Sequence, residues 1–280
     1  MEKLLTLSLA GIAISIVGIA TIVFLYNDFQ SALKDSDDQL ESISSRLDEL
    51  ESTVANTGLV AHWRLDEAGG AATNDNSENG NTASLENDPS WQDKYQCAVG
   101  DSCLGFDGID DYVRGPEESM RIAYQWTTSG WIQLDSHGSF NIVLTKMGST
   151  NGHVNYEMKI DNQGHLVCRS HNEAGDNFQS TSVQALSLDT WYNIACDFDG
   201  TRLRGWINGS FDGATSVLGN LCTQCVIGTP GPFVVGHAGA NSGCPNCVSE
   251  YFNGIIDDIR VYSRALSGSE IQKLYQERLV

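Results

Sequence analysis

The residues whose spacing most clearly suggests chemistry are cysteines. Cys222 and Cys225 form one Cys-x-x-Cys pair, and Cys244 and Cys247 form a second pair after 18 intervening residues. Zinc ribbons use this spacing, and so do closely spaced disulfides in proteins outside the cytosol. Four further cysteines complete the set: Cys97, Cys103, Cys168 and Cys196.

The redox compartment decides between these two uses of cysteine. An apolar N-terminal segment, described below, places the rest of the chain outside the cytosol, where thiols are oxidised. We therefore predict disulfides for all eight cysteines. Cys97 and Cys103 could close a short loop, and Cys168 and Cys196 could bridge two β strands, whereas the pairing within 222–247 stays open. The chain has no Cys-x-x-Cys-His motif, so covalent haem is not expected.

Acidic side chains offer a second kind of site. Asp66 opens one polar loop, Asp75 lies in the next, and Asp257 lies on a β run near the end of the chain. Ca²⁺ takes about six to eight oxygen ligands, which carboxylates on converging loops can supply. The alternative is that these acids cap turns. We expect turn roles for three others: Asp107, Asp110 and Asp111.

Motifs for catalysis are missing from the sequence. A glycosidase of the β-sandwich type would carry two glutamates on one strand as Glu-x-Asp-x-x-Glu, and a serine hydrolase would carry Gly-x-Ser-x-Gly. The chain contains neither motif, and its six histidines are scattered singly. We therefore expect that the protein is not an enzyme.

The charge of the chain excludes a class of partners. With 36 acidic and 16 basic residues, the formal net charge of the 280-residue chain is -20. Binding to nucleic acid requires a basic surface. DNA and RNA are therefore not expected as partners.

The N-terminal segment is apolar enough to enter a membrane. Leu4–Tyr26 runs for 23 residues without a charge, and a bilayer core needs roughly 20. A cleaved secretory signal has a shorter apolar stretch, about 7–15 residues. Lys3 before the segment and acidic residues after it place the bulk of the chain outside.

A second helical pattern continues beyond this segment. Apolar residues and one serine alternate in steps of four and three, as in a coiled-coil seam: Phe29, Leu33, Ser36, Leu40, Ile43, Leu47, Leu50 and Val54. The alternative is a helix that packs this stripe on its own head domain. Eight acidic and two basic residues between 27 and 55 mean that burial of the seam, not salt bridges, would hold parallel copies together.

This long helix, apolar and then amphipathic, resembles the N-terminal helix of type IV pilins. The resemblance implies that its first half packs in the core of a filament and its second half supports the head. One departure is Leu5, which stands where the family carries an acidic residue.

From Gly58 onward, short β runs alternate with turn-forming residues, which indicates a sandwich or barrel. Asn208-Gly209 after one of these runs is a strong hairpin signal. Five motifs resemble laminin-G-like domains of the concanavalin A-like type: GLVAHWRLDEAGG (58–70), CLGFDGIDDYV (103–113), SGWI (129–132), TWYNIACDFDG with LRGWING (190–209) and YFNGIIDDIRVYSRALS (251–267). We predict a mainly β chain, with a helix over 1–56 and a jelly-roll β-sandwich head over 57–280.

The resemblance also implies site residues in the head. Such domains often hold Ca²⁺, and the matching acids are Asp66, Asp75 and Asp257. Glycan binding is the family's expected function, and three aromatic residues could either stack on sugar or lie in the core: Tyr124, Trp126 and Phe233. Asn208 begins the sole Asn-x-Ser/Thr sequon and is a candidate glycosylation site at a predicted exposed turn.

Together these features predict a cell-surface subunit of a pilus-like filament. The helix would pass through the membrane and then polymerise with other copies, and the head would bind glycans or cell surfaces. The alternative is a single-pass, membrane-anchored lectin-like protein on a coiled-coil stalk. A glycoside hydrolase is the third hypothesis.

Overall fold

The computed structural model describes residues 24, 26–46, 56–117, 119–122, 124–138, 140–148, 154–171, 175–217, 230–238 and 250–277. The chain divides into two compact units, Met1–Thr57 and Gly58–Val280. Within the described ranges, no helix is both long and apolar enough to cross a membrane. The predicted membrane segment Leu4–Tyr26 lies outside those ranges except for Phe24 and Tyr26.

In the first unit, residues 26–46 form helix α1. The side chains of the predicted seam on this helix are between 45% and 64% exposed: Phe29, Leu33, Leu40 and Ile43. Three further apolar residues of the seam lie outside the described residues: Leu47, Leu50 and Val54. The described part of the first unit is therefore a helix with an uncovered apolar stripe.

The described part of the second unit contains 16 β strands and a short helix. In chain order the strands are β1 Leu59–Trp63, β2 Ala72–Thr73, β3 Ala83–Glu86, β4 Ser90–Asp93, β5 Ser102–Asp107, β6 Tyr112–Gly115, β7 Trp126–Leu134, β8 Phe140–Gly148, β9 Val154–Asp161, β10 His165–His171, β11 Asn177–Ala185, β12 Trp191–Phe198, β13 Arg202–Ile207, β14 Ser210–Ser216, β15 Pro230–Val235 and β16 Asn253–Tyr262. Helix α2, Gly268–Gln276, follows the last strand.

The strands form two antiparallel sheets of eight strands each. The first sheet has the order β14-β13-β12-β7-β16-β5-β4, with β1 paired to β16. The second sheet has the order β11-β10-β9-β8-β15-β6-β3-β2. The predicted hairpin joins β13 to β14, and positive φ angles of 51° at Asn208 and 74° at Gly209 suit its turn. This arrangement confirms the mainly β sandwich predicted from the sequence.

The core lies between the inner faces of the two sheets. Alternate residues of each strand point inward, and the largest of them are fully buried, including Trp63, Trp126, Tyr156 and Phe233. The Cys168–Cys196 disulfide joins β10 of the second sheet to β12 of the first. Both sulfur-bearing residues are 0% exposed within this core, so the bond crosses the sandwich.

Helix α2 covers part of the outer face of the first sheet. Ser267 and Glu270 form a capping box that fixes its start. Ile271 and Leu274 are buried against outward-facing residues of the sheet such as Trp206, and the ring of Tyr275 stacks on Trp131 at 5.7 Å. The helix thus covers part of this face through apolar and aromatic contacts.

Candidate ligand-binding site

The predicted calcium ligands Asp66, Asp75 and Asp257 each accept hydrogen bonds from the backbone. Asp75 accepts hydrogen bonds from the backbone N–H of His62 at 2.9 Å and of Asn81 at 2.9 Å. Among the described residues, the side chains grouped closely enough to share an ion do not include this trio. Burial opposes ionisation of Asp75, but the hydrogen bonds that it accepts outweigh this effect and lower its pKa.

Asp66 and Asp257 instead hold one loop between β4 and β5. Asp66 accepts from the backbone N–H of Asp101 at 2.8 Å, and Asp257 accepts from the backbone N–H of Ala98 at 3.0 Å and of Val99 at 2.8 Å. Backbone donors thus occupy carboxylate oxygens that a cation would need. In the structure Asp66 and Asp257 secure a loop, and calcium binding by Asp66, Asp75 and Asp257 stays a prediction.

Three other acids do lie close together, in the turn between β5 and β6. Carboxylate oxygens of Asp107, Asp110 and Asp111 lie within 4.8 Å of one another, so this cluster could hold a metal ion. Burial raises the pKa of Asp111, and the neighbouring charges of Asp107, Asp110 and Asp88 raise it further. Among the described residues, the Asp110 carboxylate accepts no hydrogen bond. The turn roles predicted for this run are also present, since Asp107 accepts from the N–H of Ile109 at 2.8 Å.

An aromatic group lies beside this acidic cluster, and we call its three rings the aromatic platform: Tyr112, His237 and Tyr251. The His237 ring stacks on Tyr251 at 4.1 Å with an interplanar angle of 11°, and lies 5.7 Å from the ring of Tyr112. Tyr112 and Tyr251 are partly exposed. Burial raises the pKa of Tyr251, and Asp110 and Tyr112 contribute to the shift, which places the platform next to the acidic cluster.

The backbone explains how the platform forms. Tyr112 points outward from the second sheet because Val113, the next residue of β6, points into the core. The segment after β15 turns at Gly236, with a φ of 86°, and His237 pairs with Tyr251 in an isolated bridge. Burial lowers the pKa of His237 to about 4, so its imidazole is neutral at pH 7.

A row of charged side chains crosses the same outer face of the second sheet. The strand register sets Glu157 of β9 opposite Thr145 of β8 and Arg169 of β10. An Nη of Arg169 donates to Glu157 at 2.8 Å, and Nζ of Lys159 lies 3.4 Å from its other oxygen. Burial raises the pKa of Glu250, and the same three charged groups act on it. Because Glu250 directly precedes Tyr251 in the chain, the row of charged side chains lies next to the aromatic platform.

The aromatic residues named from the sequence lie elsewhere. Trp126 is 1% exposed and Phe233 is 0% exposed, so both belong to the core and neither can stack on a sugar. Tyr124 is 75% exposed. The sequence did not single out Tyr112, His237 or Tyr251, because they are far apart in the chain. Tyr112 and Tyr251 do lie inside the laminin-G-like motifs, and this was the available signal that they belong to a site.

The predicted glycosylation site is less open than expected. Asn208 is partly buried, and its side-chain oxygen accepts from the backbone N–H of Asn193 at 3.0 Å. The following Gly209 lies against helix α2, where a Cβ would come within 2.8 Å of Gln272. Glycosylation of Asn208 stays a prediction.

Two of the disulfides suggested by the sequence are present. Cys97 is bonded to Cys103, and Cys168 is bonded to Cys196. The two Cys-x-x-Cys pairs lie outside the described residues: Cys222, Cys225, Cys244 and Cys247.

Solved structures share this fold at low sequence identity. The binding domain of Paraclostridial mosquitocidal protein 1 matches with a TM-score of 0.56 and 15% identity, over 79% of this chain and 52% of that chain. The ligand-binding domain of botulinum neurotoxin serotype D, solved with N-acetylneuraminic acid, gives 0.57 and 13%, over 80% and 52%. The present chain therefore spans about half the length of these toxin domains.

A shorter structure matches over nearly its whole length. Domain 4 of the extracellular arabinanase AbnA from Geobacillus stearothermophilus, solved with arabinotriose, has a TM-score of 0.59 and 17% identity, over 78% of this chain and 98% of that domain. No curated protein matches the chain. A family model of the laminin G type, described as the concanavalin A-like lectin/glucanases superfamily, matches residues 107–272. Because this match covers more than half of the chain, the protein belongs to the concanavalin A-like lectin/glucanases superfamily.

Proposed function

We propose that the second unit is an extracellular glycan-binding domain and that its ligand lies on the outer face of the second sheet. The observation that carries this proposal is the aromatic platform, with partly exposed tyrosine rings between an acidic cluster and a row of charged side chains. Sugar rings present apolar faces and hydroxyl edges. A site that joins aromatic rings to fixed polar groups can bind both.

Other features agree with this reading. Disulfides such as Cys97–Cys103 and Cys168–Cys196 are typical of proteins outside the cytosol. Two structures of the same fold were solved with arabinotriose and with N-acetylneuraminic acid. These ligands belong to those proteins, and they define the first compounds to test here.

The test is a binding panel with matched tyrosine variants. Arabino-oligosaccharides, sialyllactose and neutral hexose oligosaccharides are titrated into the protein by calorimetry. We expect a ligand in this panel, and we expect Tyr251→Ala to weaken its binding about tenfold, as befits the loss of one stacked ring. Tyr124→Ala, at an exposed ring outside the platform, is the control. Equal losses in both variants, or no binding to any sugar, would reject the proposal.

We propose that Ca²⁺ binds the same face through Asp107, Asp110 and Asp111. The mutual repulsion of these acids, which contributes to the raised pKa of Asp111, would be relieved by a cation. Calorimetry with Ca²⁺ should show binding at pH 7 that weakens toward pH 4 and is lost in Asp110→Asn. Asp212→Asn, in β14, is the control. Unchanged binding in Asp110→Asn would place the ion elsewhere.

For the first unit we propose that the N-terminal helix assembles the chain into a pilus-like surface filament. Support comes from the resemblance to type IV pilins and from the uncovered apolar stripe on α1, which would be buried between copies. The alternative is a single-pass, membrane-anchored lectin-like protein on a coiled-coil stalk that does not polymerise. Shearing cells and imaging the supernatant separates the two, because filaments that contain this chain support assembly, whereas release that requires detergent supports the anchor.

We further propose that the domain binds glycans without cleaving them. The support is the lack of the paired-glutamate motif in the sequence. Incubation with a panel of glucans and arabinans should release no reducing sugar. Turnover that disappears in Glu157→Gln or Glu250→Gln would instead establish a hydrolase.

A further inference from the structure

The acidic turn between β5 and β6 lies beside one ring of the aromatic platform. Carboxylate oxygens of Asp107, Asp110 and Asp111 lie within 4.8 Å of one another, and Tyr112 directly follows this run in the chain. The register of β3 and β6 sets Glu86 opposite Tyr112. Because directly opposite residues of a sheet share one face, Glu86 adds a further carboxylate to the surroundings of this ring.

The backbone also brings the acidic turn to the other two rings. A Cβ atom at Gly236 would lie 3.4 Å from the carbonyl oxygen of Asp111, so the segment after β15 passes against the turn. The next residue is His237, whose ring stacks on Tyr251 at 4.1 Å and lies 5.7 Å from Tyr112. Aromatic rings and carboxylates therefore belong to one site.

Basic side chains do not neutralise this turn. Among the residues that the structure describes, five acidic residues form no ion pair with a basic side chain: Glu86, Asp88, Asp107, Asp110 and Asp111. The charged groups that act on Asp111 are three of these other acids. A site with charge of one sign raises the local concentration of a ligand with the opposite charge.

On its other side the platform meets charges that cancel. Glu157 pairs with Arg169 at 2.8 Å, and Nζ of Lys159 lies 3.4 Å from the second carboxylate oxygen of Glu157. These three charges act on Glu250, which precedes Tyr251. Two acids and two bases leave this row with no net charge. The acidic turn therefore decides the sign of the charge at the platform.

The buried ring of the platform has unused capacity for hydrogen bonds. His237 is 5% exposed, and neither of its ring nitrogens has a hydrogen-bond partner among the described residues. The carbonyl group of Glu250 lies beside the ring but without the geometry of a hydrogen bond. Buried polar atoms are rarely left without a partner, and a neutral imidazole has one nitrogen that accepts. A ligand that donates a hydrogen bond would supply the missing partner.

We propose that the glycan bound at the aromatic platform carries a protonated amino group, as in oligosaccharides of glucosamine. This inference rests on the proposed glycan-binding function and names the class of its ligand. The faces of the tyrosine rings attract an ammonium group, and the unpaired carboxylates of the acidic turn attract it further. The same carboxylates would repel a sugar that carries a carboxylate.

The test compares two oligosaccharides that differ in the charge of one substituent. Tetrasaccharides of glucosamine and of N-acetylglucosamine are titrated by calorimetry into the full-length protein at pH 6, with EDTA present so that no Ca²⁺ occupies the acidic turn. We expect the glucosamine compound to bind at least about tenfold more tightly. Because salt screens exposed charges, about 0.5 M NaCl should reduce this ratio to below about threefold.

Matched variants locate the charge that the amino group meets. Asp110 is exposed, and its carboxylate accepts no hydrogen bond among the described residues, so that Asp110→Asn should keep the fold. This variant should weaken binding of the glucosamine compound at least about threefold and leave the acetylated compound within about twofold. Glu86→Gln should act in the same direction. Asp101→Asn, at an exposed position beyond the opposite end of β5, should change neither affinity.

The outcomes separate this inference from the proposed function. Binding of the acetylated compound as tight as that of the glucosamine compound, or equal effects of Asp110→Asn and Asp101→Asn, would overturn the inference and leave glycan binding intact. Ethanolamine, which has the amino group without the sugar, serves as a further probe. Its binding as tightly as the tetrasaccharide would reject an amino sugar as the ligand class. Failure of every sugar to bind would reject the proposed function as well.

Discussion

At the residue scale, two adjacent buried carboxyl groups show how the surroundings change the pKa of the same type of side chain. Asp257 accepts two backbone N–H groups but has no cation beside it, and burial raises its pKa to about 8. Burial also opposes ionisation of Asp258, yet Arg260 and His62 outweigh it and lower the pKa of that residue. Adjacent residues of one strand thus favour opposite protonation states, because cations offset burial at Asp258, whereas burial and neighbouring acids outweigh the two backbone donors at Asp257.

This contrast predicts the effect of Asp257→Asn on stability. A carboxyl group whose pKa is higher in the folded state than in the unfolded state costs stability as the pH rises from about 4 to about 8. Asparagine can accept the same N–H groups without a charge. We expect the variant to be more stable at pH 7.5, on the order of 2–4 kcal/mol, with the gain vanishing near pH 4.

Urea unfolding at several pH values measures this difference. Asp101→Asn, at an exposed position of the same loop, serves as the control and should leave stability within about 0.5 kcal/mol. An Asp257→Asn protein that is less stable than the wild type at pH 7.5 would show that the charged carboxylate is needed.

The sequence identified Asp66 and Asp257 as candidate calcium ligands, and the structure shows that both accept backbone N–H groups of one loop. Acidic residues in converging loops suggest a cation site. Nothing in their spacing shows that backbone N–H groups will donate hydrogen bonds to these carboxylates. The acids of the β5–β6 turn did cluster, although their sequence suggested turn roles alone. The residue types predicted which loops carry carboxylates with a structural or binding role. Whether a given carboxylate can accept an ion depends on the backbone of its loop.

At the scale of elements, burial of apolar side chains and, within the described residues, one covalent bond hold the two sheets together. Cys168–Cys196 joins β10 to β12 across the core, with a sequence separation of 28. Closing a loop of this length restricts the unfolded chain much more than closing the short loop at Cys97–Cys103. The first bond should therefore contribute more to stability than the second.

Paired cysteine replacements test this ranking. Cys168→Ala with Cys196→Ala should lower the free energy of unfolding by roughly 3–4 kcal/mol, and Cys97→Ala with Cys103→Ala by roughly 2 kcal/mol. Chemical unfolding of both variants in parallel provides the measurement. A larger loss of stability in the Cys97→Ala, Cys103→Ala variant would mean that the short loop, and not the cross-sheet bond, restricts the unfolded chain more.

Strand prediction succeeded where side chains alternate between core and solvent. The motif TWYNIACDFDG contains β12, a strand that has neighbours on both sides, and most of its side chains are buried. The edge strand β11, Asn177–Ala185, was missed because most of its side chains are exposed and polar. An edge strand needs fewer apolar residues, so its sequence resembles that of a loop.

At the scale of the whole molecule, the chain joins two units of different character. The second unit contains the complete sandwich with its core, which burial of apolar side chains can stabilise without help. The order of its strands could not be read from the sequence, because neighbours such as β5 and β16 are about 150 residues apart. The laminin-G-like motifs indicated the jelly-roll arrangement by resemblance, without the order of the strands.

This division predicts that residues 58–280 fold without the first unit. A protein lacking residues 1–57 should keep the cooperative unfolding transition of the full chain and the same glycan affinity, but should no longer join filaments. Calorimetry and electron microscopy of the two proteins provide the comparison. Loss of the transition would show that the helix is needed for the sandwich to fold.

The central claim is that glycan binds at the aromatic platform on the outer face of the second sheet. Titration of a bound oligosaccharide into isotopically labelled protein, followed by nuclear magnetic resonance, tests it most directly. The account predicts that the largest shift changes fall on Tyr112, His237 and Tyr251, with smaller changes at Asp110 and Glu250. Changes centred instead on helix α2 and the outer face of the first sheet would contradict it.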